Sequence, residues 1–172
     1  LMNWLITLGY HIELIPMYTG TDLDDNDCTI NDYIHRTFCH TGAITSHSPC
    51  SLESFYERLN YLDFAICARF HSHVFCTQAG IPFISLPVTR KDEIYIKELP
   101  DICRHSVKLF YDDNYNIIGF DVDNAKDQFL SVVNHSHSIS QSLYKVSDER
   151  NKFFQCQKIQ RLIHNRRKRV IS

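Results

Sequence analysis

Short apolar runs alternate with amphipathic stretches along the chain, and this alternation is its main structural signal. Leu1, Trp4, Leu5 and Leu8 recur at helical spacing, and Gly9 follows where a helix C-terminus takes a glycine. Residues 11–17 form an apolar run with one charge and predict a strand. Residues 31–38 predict a helix. Ser51 fits the N-cap of another, with Phe55, Leu59 and Leu62 as its apolar face. After Asp63, residues 64–68 are continuously apolar, as in a parallel strand covered on both faces. Residues 72–79 predict a helix closed by Gly80, Ile81-Pro82 a turn, and residues 83–86 a second apolar strand. Together they predict a β-α-β unit whose strands are adjacent and parallel, the building block of an open parallel sheet. Residues 92–99 make a short helix stopped by Pro100, residues 107–111 a strand end, and residues 112–116 a turn.

From Asn124 onward the pattern is helical. Phe129, Val132 and Val133 give one face, which Ile139, Leu143 and Val146, then Phe153, Ile159, Leu162 and Ile163, continue to a basic end at Arg166-Arg167-Lys168-Arg169. The chain therefore divides into an α/β lobe over residues 1–123 and a helical extension over residues 124–172 packed on it. The first residues fall inside a helix with no strand before it, so the lobe is expected to be incomplete.

Composition narrows the class. The 172 residues are 44% hydrophobic and 22% charged, which is ordinary for a globular chain. The formal net charge of −2 gives no basic field for nucleic acid. No run approaches the roughly 20 apolar residues of a membrane span. The 7 Cys are odd in number and include no CxxC pair, which argues against a disulfide framework and a zinc ribbon. Cys67 and Cys76 lie in apolar runs and read as small buried hydrophobes. A reducing, cytoplasmic location is the expectation.

Several polar clusters invite a chemical reading. Asp22, Asp24, Asp25 and Asp27 have a calcium-loop flavour but lack the Gly and terminal Glu of such a loop, and read as a solvated loop. His71-Ser72-His73 and His135-Ser136-His137 place two His two residues apart, and on a helix such a pair faces different sides, so no metal site is expected. The terminal basic run reads as a solvated helix end.

Arg69 and His71 stand apart from these. They fall at the C-terminal end of a parallel strand, where open α/β sheets place their ligand crevice. The helix that begins there offers backbone N–H groups and positive potential to an anion. Arg adds a planar fork for phosphate or carboxylate, and His adds a charge or a movable proton near neutral pH. Lys91, or its neighbour Arg90, follows the second strand after a short loop, and adjacent strand ends bring their loops side by side. Arg69, His71 and Lys91 are expected to converge on one concavity.

The run from Asp63 through Arg69-Phe70-His71, Gly80-Ile81-Pro82 and residues 83–86 to Lys91 resembles the polysaccharide pyruvyl transferase family. That family shows an Asp, an apolar strand, Arg-x-His, a helix, Gly-x-Pro, an apolar strand and a Lys in this order. Residues 11–17 followed by Asp22 and Asp24 are similar to its upstream strand and acidic loop. The resemblance implies the Rossmann-like C-terminal lobe of a two-lobed, GT-B-like fold, with the N-terminal lobe lying outside this sequence. It also implies transfer of a pyruvyl group from phosphoenolpyruvate to a sugar or glycan diol as a ketal. Arg69 and His71 would be catalytic, and Arg69, His71 and Lys91 would bind substrate, with no cofactor or metal and no nucleic acid partner. The isolated chain is expected to be inactive without a second lobe. Two alternatives keep the fold: a glycosyltransferase lobe using a nucleotide sugar, and a non-catalytic remnant or binding module.

Overall fold

In the computed structural model, residues 1–20 and 26–150 are described. Asp22, Asp24, Asp25, Cys156, the apolar positions after residue 150 and the basic run at 166–169 lie outside them. The chain forms two compact units, Leu1–Ser51 and residue 52 onward.

The first unit holds α1 (Met2–Thr7), β1 (Ile12–Leu14), α2 (Asp27–Phe38) and β2 (Ile44–Ser46). Strands β1 and β2 are parallel, with Ile12 opposite Ile44. Leu5 and Ile44 are its buried apolar residues. Helix α2 begins four residues before the helical pattern becomes legible. Its cap is Asn26, whose side chain accepts from the Cys28 N–H at 2.9 Å. Asp27 is not a solvated loop acid, because its carboxylate accepts the Met17 and Tyr18 N–H groups at 2.8 and 2.9 Å and ties the loop's two ends together.

The second unit is built on β3 (Ala65–Cys67), α4 (Phe70–Ala79) and β4 (Phe83–Ser85). Strands β3 and β4 pair in parallel with Ala65 opposite Phe83, as the β-α-β pattern requires, and α4 packs against both. The continuous burial of Phe83, Ile84 and Ser85 explains why β4 shows no alternation. Around this core lie α3 (Leu52–Leu59), α5 (Arg90–Lys97), the hairpin β5 (Leu109–Tyr111) and β6 (Ile117–Phe120), α6 (Val122–Asn134) and α7 (Ser136–Arg150). Phe129 of α6 meets Phe64 edge to face at 4.7 Å, and α7 packs on α4. The helical pattern expected from Asn124 forms two helices that meet at His135, whose ring nitrogen donates to the Ser131 carbonyl at 2.9 Å.

The fold is thus mixed α/β, without a closed barrel. The expected single open sheet appears among the described residues as three two-stranded sheets, two parallel and one antiparallel. The strands are mostly three residues long, and a third partner is engaged at one bridge among the described residues. Beside β4, only Ser106 adds a parallel bridge, with Val107 N–H donating to the Ser85 carbonyl at 2.8 Å, before residues 109–111 turn into the hairpin.

Burial separates the thiols as well. Cys67, Cys76 and Cys103 are buried, while Cys39 and Cys50 are exposed. Burial pushes the Cys103 thiol up to about 11, so it holds almost no thiolate at neutral pH. Alkylation of the folded chain followed by peptide mass analysis should label Cys39 and Cys50 and spare Cys67, Cys76 and Cys103. Prompt labelling of Cys103 before denaturant is added would contradict its placement.

Candidate functional site

Arg69 is the N-cap of α4, in extended conformation at φ −109° and ψ 141°. The helix starts earlier than its apolar pattern, so His71 lies in its first turn instead of in a preceding loop. Arg69 is half-buried and His71 exposed, at the C-terminal end of β3. The His71 ring lies 6.4 Å from the Phe75 ring at an interplanar angle of 29°.

Lys91 comes from the parallel neighbour. It lies in the first turn of α5, which follows β4, and its Nζ sits 5.2 Å from the centroid of the Phe70 ring. Phe70 is the residue between Arg69 and His71, and its ring is 6.0 Å from that of His71. Phe70 therefore brings Lys91 to the Arg69–His71 segment. Arg90 and Lys91 are both exposed. Two helix N-termini and three cationic or titratable side chains share this end of the β3–β4 pair, an arrangement suited to an anion.

Beneath this surface lies a buried polar network absent from the sequence reading. His73 is 0% exposed, and its Nδ1 donates to the Arg69 carbonyl at 3.0 Å. That bond makes Nε2 the acceptor for the Ser85 hydroxyl at 2.8 Å. Asp92, also 0% exposed, places Oδ1 3.8 Å from His73 Nδ1. Its other oxygen accepts the Thr89 N–H at 2.8 Å and completes a capping box at the start of α5. A readable trace existed. Thr89-Arg90-Lys91-Asp92 has capping-box spacing, and His73 shares a helix face with Cys76, Thr77 and Gly80. His71 and His73 thus serve opposite sides of one helix, the first exposed and the second in the core.

Burial holds the His73 imidazole below its ordinary range, and the Asp92 charge acts in the opposite direction. The unfolded chain therefore takes up a proton that the folded chain refuses. Stability is full above about pH 6.5 and falls as pH drops below it toward the folded-state value. Thermal melts across this range should show that slope, and His73→Gln should flatten it. An identical slope in the variant would assign the effect to other groups.

In the first unit a polar row crosses the β1–β2 pair. His11 Nε2 bonds Thr45 Oγ1 at 2.8 Å and lies 3.4 Å from Glu13, and Glu13 also bonds His47. Among the described residues no group of three or more His, Cys, Asp or Glu side chains is arranged to hold a metal ion. No described helix is long and apolar enough to cross a membrane.

A family model described as polysaccharide pyruvyl transferase matches residues 2–90, which include Arg69 and His71 and stop one residue before Lys91. No curated protein and no solved structure matches the chain significantly.

Proposed function

The chain belongs to the polysaccharide pyruvyl transferase family, and from that premise we propose that it binds phosphoenolpyruvate at the C-terminal ends of β3 and β4 and donates the pyruvyl group to a sugar diol. The observation that carries this reading is the placement of Arg69, His71 and Lys91 on two adjacent helix N-termini, linked through Phe70. We take β3-α4-β4 as the core of a Rossmann-like lobe of the GT-B type.

The donor carries a phosphate and a carboxylate on one small carbon frame. Arg69 grips one anionic group through its planar fork, and Lys91 supplies a point charge to the other. Protonation of the donor's methylene carbon makes C2 electrophilic. One sugar hydroxyl adds at C2, a second displaces inorganic phosphate, and a cyclic ketal with a methyl group results. His71, exposed in the first turn of α4 with its ring 6.0 Å from that of Phe70, is placed to pass a proton or to hold the phosphate as imidazolium. The cations lower the barrier by orientation and charge stabilisation.

Donor binding is the direct test, since it draws on these three side chains. Calorimetric titration of phosphoenolpyruvate into the full chain should give saturable binding that inorganic phosphate competes with. Phosphate release and ketal formation should then be followed with sugars bearing galactose or N-acetylmannosamine units, with and without an added N-terminal lobe of the family, and are expected only with it. Absence of donor binding would overturn the reading, and binding of a nucleotide sugar in its place would favour the glycosyltransferase alternative.

A further inference from the structure

We propose that His73 and Asp92 are positioning residues, a buried strut that fixes the first turn of α4 against the first turn of α5 and so sets the spacing between Arg69 and Lys91. The proposal rests on the donor reading above and adds the device that makes two anion-binding side chains act on one molecule.

Each link ends on a residue of the site or beside one. His73 Nδ1 bonds the carbonyl of Arg69 itself. Its Nε2 reaches Ser85, the last residue of β4, so the ring is pinned to both the loop it orients and the strand that leads to α5. Asp92 directly follows Lys91, and one of its carboxylate oxygens fixes the α5 N-terminus through Thr89. The other, Oδ1, accepts no hydrogen bond from a described residue and faces His73. A carboxylate buried with one oxygen unbonded is a poor device for stability alone, since an apolar pair of similar volume packs without the desolvation cost. Its position suits a registration role, because the His73–Asp92 approach is where the two helix starts meet.

The ligand's shape gives the test its discrimination. Phosphoenolpyruvate presents two anionic groups at a fixed separation, and a displacement of about 1 Å between the clamps costs on the order of 100-fold in a well-oriented site. Inorganic phosphate is a single group and is insensitive to that separation. Affinities for both should be measured by calorimetry on the full chain carrying Asp92→Asn, which keeps an acceptor for the Thr89 cap, and His73→Gln. The expected result is phosphoenolpyruvate affinity weakened about tenfold or more, with phosphate affinity changed by less than about twofold. Equal losses for both ligands, or no loss for either, would show that the pair serves packing only. If either variant fails to fold, Ser85→Ala removes only the Nε2 contact, and an unchanged ratio there overturns the strut. A wild-type chain that does not bind phosphoenolpyruvate overturns the donor reading and the strut with it, whereas an unchanged ratio in a chain that binds overturns the strut alone.

Discussion

Gly80→Ala is expected to cost about 2–5 kcal/mol, a large fraction of the stability of an ordinary domain. Gly80 ends α4 at φ +65°, in the left-handed region. Its N–H bonds the Thr77 carbonyl and the Ile81 N–H bonds the Cys76 carbonyl, the paired bonds of a Schellman cap. A side chain in that conformation costs about 1–2 kcal/mol. The larger cost is steric. A Cβ on Gly80 would run into the ring of Tyr144, a residue of α7 only 6% exposed. Overpacking of that kind costs about 1–3 kcal/mol more. Urea denaturation followed by circular dichroism measures the sum. The double variant with Tyr144→Ala should lose less than the sum of the two single losses, because the two positions share one contact and their effects cannot add. A wild-type midpoint for Gly80→Ala would show that α7 does not close over this turn.

The β-α-β unit was legible because its signals are local. Two continuous apolar runs, Gly80 and Pro82 define strand, helix end and strand without reference to the rest of the chain. The helix starts were less legible for a related reason. Arg69 and His71 look like loop residues, as do Asn26 and Asp27, yet a first turn bears polar side chains with little penalty and often requires them. The residues at fault were those whose meaning depends on a distant partner. His73 reads as one of a His pair until Ser85 and the Arg69 carbonyl are placed around it, and Asp92 reads as a helix-start acid until it is seen at 0% exposure beside that ring. The sheet failed at the same level. The strand end at residues 107–111 and the turn at 112–116 were legible, but not that Ile117–Phe120 folds back on Leu109–Tyr111, because Ile117 and Ile118 are exposed and carry no core-facing alternation. The candidate site sits on the legible part, at the ends of β3 and β4, while the polar network beneath it belongs to the part that only tertiary structure reveals.

Arg69→Ala is expected to weaken phosphoenolpyruvate binding by about 10- to 100-fold, the loss of one charge-assisted, two-pronged contact worth about 1.5–3 kcal/mol. The variant keeps the backbone contacts that Arg69 makes to α4. The carbonyl that accepts from the Ser72 N–H at 2.9 Å and from His73 Nδ1 at 3.0 Å is retained in alanine. Arg69→Lys should recover little, since an ammonium cannot reproduce the planar fork. His71→Ala should divide differently. If His71 moves the proton, donor affinity falls little while the transfer rate falls by about 100-fold or more, the usual range for removing a general acid or base. If it holds phosphate, affinity falls in step with rate. The set therefore assigns roles within the site: Arg69 by affinity, His71 by the split between affinity and rate. Wild-type donor affinity in Arg69→Ala would remove the arginine from the site and, with it, the argument that the end of β3 is where the donor binds.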